Sequence, residues 1–285
     1  MFSILWNKQS IASFGSEFSY DLPFLKKDAT VLALSQSGET MDLLEPLKVA
    51  KKQGARIIAL VNVLGSSLYR LADEKILVGA GPEKAVASTK AATAKFAHLI
   101  LLTYAGLGKL DEGKKILSQA IISSKKLLSS DQVKNIQRLA KQLQHVEHIF
   151  VIGRGISYPV TLETALKIKE VSYIHAEGLA AGELKHGTLA LVEKGTPTIV
   201  YLPHDETYEA TLTSAREMKA RGACIIGVSY KNNDILDTFI HVEDAGIATI
   251  IPNVIFAQLL AYYLAIEKKL DPDMPRNLAK SVTVK

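Results

Sequence analysis

Two stretches of this chain read as versions of one another. Residues 31–61, VLALSQSGETMDLLEPLKVAKKQGARIIALV, and 198–229, TIVYLPHDETYEATLTSAREMKARGACIIGVS, each run through an apolar strand, a polar turn, an amphipathic helix, a glycine and a second apolar strand. Glu39-Thr40 aligns with Glu206-Thr207 at an offset of 167, and Gly54 with Gly222 at 168, so the second helix holds one extra residue. Just upstream, SEFSY (16–20) aligns with GELKH (182–186) at 166. A nearly constant offset over this many elements implies two domains of one fold. Strands that are apolar throughout and alternate with helices require a mainly parallel sheet covered on both faces. The fold class is therefore α/β, with each domain expected to be a flavodoxin-like three-layer sandwich of sheet and flanking helices.

The repeat is unequal. The second copy carries an earlier unit, HIFVIGRGISYPVTLETALKIKE (148–170), whose first-copy partner would fall before Met1. The first domain is thus expected to lack its opening strand, glycine turn and helix. The chain would then be a fragment, a truncated product, or a variant that completes this domain another way. The expected partition is an incomplete first domain over 1–108, two linker helices within 109–145, and a second domain with a C-terminal tail over 146–285.

An apolar content of 48% in 285 residues allows a large core. The net charge of +5 comes from basic pairs scattered among acids, without an aromatic-interleaved cluster, so nucleic acid is not an expected partner. The single cysteine, Cys224, lies in the apolar run CIIGV and reads as a core residue; no intrachain disulfide is possible, which fits a reducing cytoplasm. MFSILWNKQS has too short an apolar segment for a signal peptide. The apolar run 247–266 is interrupted by Pro252, Asn253 and Gln258, and is read as a strand end followed by a buried helix with Pro252 in its first turn, not as a membrane span.

SQSGET follows a strand and opens a helix, where free backbone N–H groups and the helix dipole favour an anion. Its hydroxyls suit a phosphate; the alternative is that Ser37 or Thr40 simply caps the helix. The lysine and spacing of a nucleotide-binding P-loop are missing. The matching turn in the second copy, PHDET, carries an acid that would repel phosphate, so the two copies have diverged in role. GRGIS (153–157) departs from a dinucleotide fingerprint because Tyr158 stands at the final glycine position.

The densest ionisable cluster spans 166–187. Lys167 and Glu170 lie three apart on one helix face, either as an ordinary exposed ion pair or with Glu170 as a general base in a cleft. His175, Glu177, Glu183 and His186 form no compact metal-ligand pattern, so neither metal nor cofactor is expected. Lys280 follows the Asn277-Leu278-Ala279 turn. It is either a solubilising tail residue or a desolvated lysine that folds back to form a Schiff base with a sugar carbonyl.

SQSGET, VASTK (86–90), the block GRGISYPVTLETALKIKEVSYIHAEGLAAGELKHG and the terminal PRNLAKSVTV together resemble the isomerase part of glucosamine-6-phosphate synthase, which consists of two sugar isomerase (SIS) domains. The resemblance implies that Ser35, Gln36, Ser37 and Thr40 bind the substrate phosphate, and that Ser88, Ala87 and Ala279 line the sugar. It assigns C1–C2 proton transfer to Glu170 supported by Lys167, ring opening to His186 from the neighbouring subunit of a homodimer, and the Schiff base with fructose 6-phosphate to Lys280. The family's glutaminase domain carries its cysteine directly after the initiator methionine; here Phe2 follows Met1, so no glutaminase activity is expected of this chain. Two other readings stay open: an aminosugar-phosphate deaminase of the same family, with which AGPEK (80–84) is compatible, and a non-catalytic sugar-phosphate binder.

Overall fold

A computed structural model describes residues 2–280, which form two compact units: the chain up to Leu99 together with the segment from Arg276, and Ile100 to Pro275. In the first unit, α1 (Phe2–Trp6), α2 (Phe18–Asp21) and a 3-10 turn (Leu22–Phe24) lead into β1 (Thr30–Ser35), α3 (Met41–Lys52), β2 (Arg56–Val61), α4 (Ser67–Leu71) and β3 (Glu74–Leu77); α5 (Lys90–Gly106) runs on into the second unit. The three strands form a parallel sheet in the order β1-β2-β3, with Leu34 opposite Leu60. Its core packs Leu44, Leu47 and Ala50 of α3 against Ile57, Ala59 and Val61 of β2 and Leu68 of α4.

The second unit holds α6 (Leu110–Leu127), α7 (Ser130–Leu143), β4 (His148–Gly153), α8 (Ser157–Ser172), β5 (His175–Ala180), β6 (Pro197–Leu202), α9 (Tyr208–Lys219), β7 (Cys224–Ser229), β8 (Thr238–His241) and α10 (Ile250–Glu267). All five strands are parallel in the order β5-β4-β6-β7-β8. Counted within this unit the order is 2-1-3-4-5, the flavodoxin-like winding. The first sheet, among the described residues, corresponds to the last three of these strands.

The repeat extends to interactions that the sequence comparison did not reach. Gly54 and Gly222 both take left-handed backbone angles (φ +95° and +100°), and a Cβ there would lie 2.9 Å from the Lys27 carbonyl oxygen and the Lys194 Cα respectively. Only glycine fits either turn. Asp73 accepts the Ile57 amide at 2.8 Å and pairs with Lys51 at 2.8 Å; Asp237 accepts the Ile225 amide and pairs with Lys219, both at 2.7 Å. The same carboxylate clamp therefore holds the strand after each helix.

Several elements differ from the sequence expectation. β3, β5 and β8 carry weak strand signals: EKIL and TFIH are only four residues long, and HAEGLA lacks β-branched residues. Residues 246–249 form a 3-10 turn, not a strand end, because α10 follows directly at Ile250. The segment from Gly246 to Glu267 is long and apolar enough to cross a membrane, but 67% of its most apolar 18-residue window is buried inside the protein. α6 and α7 both pack on α10 and so belong to the second unit's body. The segment from Arg276, in contrast, joins the first unit.

Candidate active site

The SQSGET turn connects β1 to α3. Ser35, at the strand end, accepts a bond from the Gly38 amide at 2.9 Å, and Ser37 accepts from the Glu39 amide at 3.2 Å. Gly38 has φ +71°, and a Cβ on it would lie 2.2 Å from Ser66 Oγ, so the turn closes against the start of α4 only with glycine. Glu39 reinforces that closure by accepting the Ser67 amide at 2.8 Å, and the Ser67 hydroxyl first, then this amide, hold its carboxyl below the usual range. Thr40 is the N-cap residue of α3, yet its hydroxyl makes no capping bond. The capping reading thus loses its main support, since neither Ser37 nor Thr40 closes the helix with its side chain. Gln36, Ser37 and Thr40 are all half-buried at the carboxyl end of the sheet, where ligands of open α/β sheets bind.

The loop after β3 is the second part of the first unit's site. Asn62, at the end of β2, holds it by donating to the Gly81 carbonyl at 2.9 Å and accepting the Ala80 amide at 3.0 Å. Ala87 is buried, while Ser88 is half-buried. The C-terminal segment reaches this loop: Asn277 turns the chain with φ +62°, Ala279 is exposed, and the Lys280 ammonium donates to the Ala85 carbonyl at 2.6 Å. Lys280 is 28% exposed, which is not the solvated state of an ordinary tail lysine. The remainder of the terminal motif, 281–285, lies outside the described residues.

In the second unit, α8 carries the paired groups. Lys167 is 3% exposed and its ammonium contacts Glu170 directly and Glu163 at 3.6 Å. The pair is therefore not an exposed surface bridge; a buried ammonium is tolerable only with such partners. The Glu170 side chain stays 21% exposed, so its carboxylate is anchored on one side and accessible on the other. His186 ends the 3-10 helix Ala181–His186 and is exposed. Around PHDET, Asp205 accepts from the Thr207 amide and hydroxyl at 2.8 and 2.6 Å, so the acid caps its own turn where the first unit has Gly38. Cys224 is half-buried in β7, with burial first and Asp237 second raising its thiol above the ordinary value, which is opposite to nucleophile activation. Among the described residues no group of three or more His, Cys, Asp or Glu is placed to hold a metal.

Sequence reasoning gave Glu83 no role of its own, although its carboxylate lies at the centre of the loop that holds Ser88 and Lys280. A lone acid in AGPEK offers no periodic or motif signal.

The SIS domain model matches residues 7–105 and 142–268. The chain belongs to the SIS domain family. Among its curated relatives is the glutamine–fructose-6-phosphate aminotransferase [isomerizing] of Caldanaerobacter subterraneus subsp. tengcongensis, 43% identical over 94% of this chain and 46% of that protein. The chain thus spans about half the length of the curated relatives it matches. Among solved structures, the C-terminal domain of the Francisella tularensis glucosamine-fructose-6-phosphate aminotransferase superposes with a TM-score of 0.84 at 33% identity, covering 96% of this chain and 80% of that one. A Thermotoga maritima glucosamine-6-phosphate deaminase gives 0.82 at 23% identity, covering 99% and 84%, and bears on the SIS fold alone.

Proposed function

We propose that this chain is a sugar-phosphate isomerase module of the glucosamine-6-phosphate synthase type, acting on fructose 6-phosphate. The observation that carries this reading is the return of Lys280 to the loop of Ser88, 192 positions earlier in the chain, with its amine partly withdrawn from water beside the Ala85 carbonyl. A tail lysine used only for solubility has no reason to be docked there.

In the proposed reaction the SQSGET turn takes the phosphate on Ser35, Gln36, Ser37 and Thr40 and on the amides at the start of α3. Ser88 and the backbone at Ala87 hold the sugar, with Ala279 at its edge, and His186 of a neighbouring subunit assists ring opening in a homodimer. The neutral amine of Lys280 adds to the C2 carbonyl and loses water to form an imine. Hydrolysis of that imine returns the amine and leaves the open-chain C2 carbonyl, which acidifies C1–H. The Glu170 carboxylate takes the C1 proton to give an enediol and returns it to C2 as a proton passes from O1 to O2, while Lys167 fixes the carboxylate in place. The product is the open-chain aldose phosphate, released with the lysine amine already free. The chain is proposed to act in the cytoplasm.

The test is turnover of fructose 6-phosphate to glucose 6-phosphate by the chain and its Glu170→Gln and Lys280→Ala variants. Glu170→Gln is expected to lower kcat by roughly 10²- to 10⁴-fold, and Lys280→Ala to abolish borohydride-trappable adduct. Measurable sugar-phosphate binding with no turnover by the parent chain would sink the enzyme reading. Ammonia release from glucosamine 6-phosphate as the dominant activity would move it to a deaminase.

A further inference from the structure

The carboxylate of Glu83 is held by five polar contacts. It sits on the loop after β3 with its side chain only 2% exposed. One oxygen accepts the Thr89 amide at 2.7 Å, the Thr89 hydroxyl at 3.2 Å and the Ala91 amide at 3.4 Å, all at the start of α5. The other oxygen accepts the Ser88 hydroxyl at 3.1 Å and faces the Lys280 ammonium at 3.5 Å. Burial by itself pushes this carboxyl up, but the Thr89 and Ala91 amides, the Lys280 charge and the Ser88 hydroxyl outweigh it and leave it lowered.

These contacts divide by purpose. The first oxygen caps a helix, where backbone N–H groups and the dipole favour a negative charge. A cap needs nothing more, and an exposed Ser or Asp would provide it. The second oxygen holds two groups that belong to the proposed reaction, one from the substrate loop and one from the far end of the chain. Its effect on Ser88 is chemically definite. A serine hydroxyl has one proton to donate and two lone pairs to accept with. Because Ser88 spends its proton on Glu83, it can meet a sugar only as an acceptor from a sugar hydroxyl, and cannot donate to a carbonyl or phosphate oxygen.

We infer that Glu83 is a positioning residue that sets Lys280 and Ser88 in one geometry: it docks the lysine amine beside the substrate loop and turns Ser88 into a hydroxyl-accepting contact, so that carbonyl attack and sugar orientation occur at one place. This inference rests on the Schiff-base reading of Lys280 for its catalytic consequence, whereas the docking itself does not depend on that reading.

Glu83→Gln separates the two oxygens. The amide oxygen can still cap α5, but the NH₂ group then faces the Lys280 ammonium, donor against donor, and donates to Ser88 instead of accepting from it. Two measurements follow. Acetylation of Lys280 by acetic anhydride, read by peptide mass spectrometry in the absence of sugar, is expected to speed up severalfold in Glu83→Gln as the amine is released. Borohydride trapping of fructose 6-phosphate on Lys280 is expected to fall by about 10- to 100-fold, the scale of a misplaced reacting group, while the melting temperature and the affinity for inorganic phosphate stay close to the parent's. Glu83→Asp keeps the charge and the cap but shortens the arm by one methylene, and is expected to fall between the two. A wild-type rate of acetylation together with wild-type trapping in Glu83→Gln overturns the inference; if Glu83→Gln does not fold, wild-type trapping in Glu83→Asp does the same. Absence of any adduct in the parent chain overturns the Schiff-base reading, and the acetylation rates then decide the docking by themselves.

Discussion

β1 and β6 hold the same place in the repeat, and each pairs in parallel with the strand that follows its helix. Yet β6 is buried at all six positions, whereas in β1 only Ala33 and Ser35 are buried and Leu34 is 41% exposed. The difference lies on the other flank. β6 is paired through Thr198, Ile199 and Val200 to β4, with β5 beyond it, while β1 among the described residues pairs on one side only. Sequence similarity between two strands therefore conveys their shared pairing but not their burial, because burial is supplied by neighbours. A strand with one unpaired edge also offers a row of free amides and carbonyls to another chain.

The comparison is broken most sharply at Leu34 and Tyr201, matched positions with opposite surroundings. Tyr201 is fully buried, bonded to Thr164 at 2.7 Å and edge-on to Phe256. Tyr201→Ala should cost about 3–5 kcal/mol, against less than about 1 kcal/mol for Leu34→Ala, as read by denaturant unfolding followed with probes for each unit. Equal losses would mean that β1 has a covering partner in solution.

A smaller effect separates the two turns. Gly38→Ala forces a left-handed angle and a contact with Ser66, which should cost about 1–3 kcal/mol and weaken inorganic phosphate binding. At the matching position Asp205→Ala removes only a turn cap, worth about 1 kcal/mol, and leaves phosphate binding unchanged in calorimetry. Loss of phosphate binding from Asp205→Ala would move the anion site to the second unit.

The smallest effect tests what the units share. The carboxyl of Asp73 is lowered by its bond to Lys51 and then by the Ile57 amide; burial raises that of Asp237, but Lys219 and the Ile225 amide leave it lowered. A folded-state value below the unfolded one, about 3.9 for aspartate, means stability that is present above that pH and lost as pH falls through the folded value. Asp73→Asn and Asp237→Asn should each flatten the acid limb of the melting-temperature profile below about pH 4. An unchanged slope in both would show the clamps to be unimportant.

Much of this arrangement was legible in the residues. The repeat named the α/β class and matched β1-β2 to β6-β7, and SQSGET was placed correctly as the turn between β1 and α3. What escaped notice did so for local reasons. The edge strands β3 and β8 are four residues each, and β5 has no strand-forming composition, so pairing alone defines them.

The sequence by itself determined the two copies, the glycines that each turn requires and the residue types at the reactive positions, because these depend on period, offset and backbone angle. Only the tertiary structure decided that Lys167 is buried between two carboxylates and that Glu83 joins Ser88 to Lys280. The reason is physical: a charge is compensated by whatever lies within a few ångströms, and for Lys280 that partner sits 197 positions away along the chain.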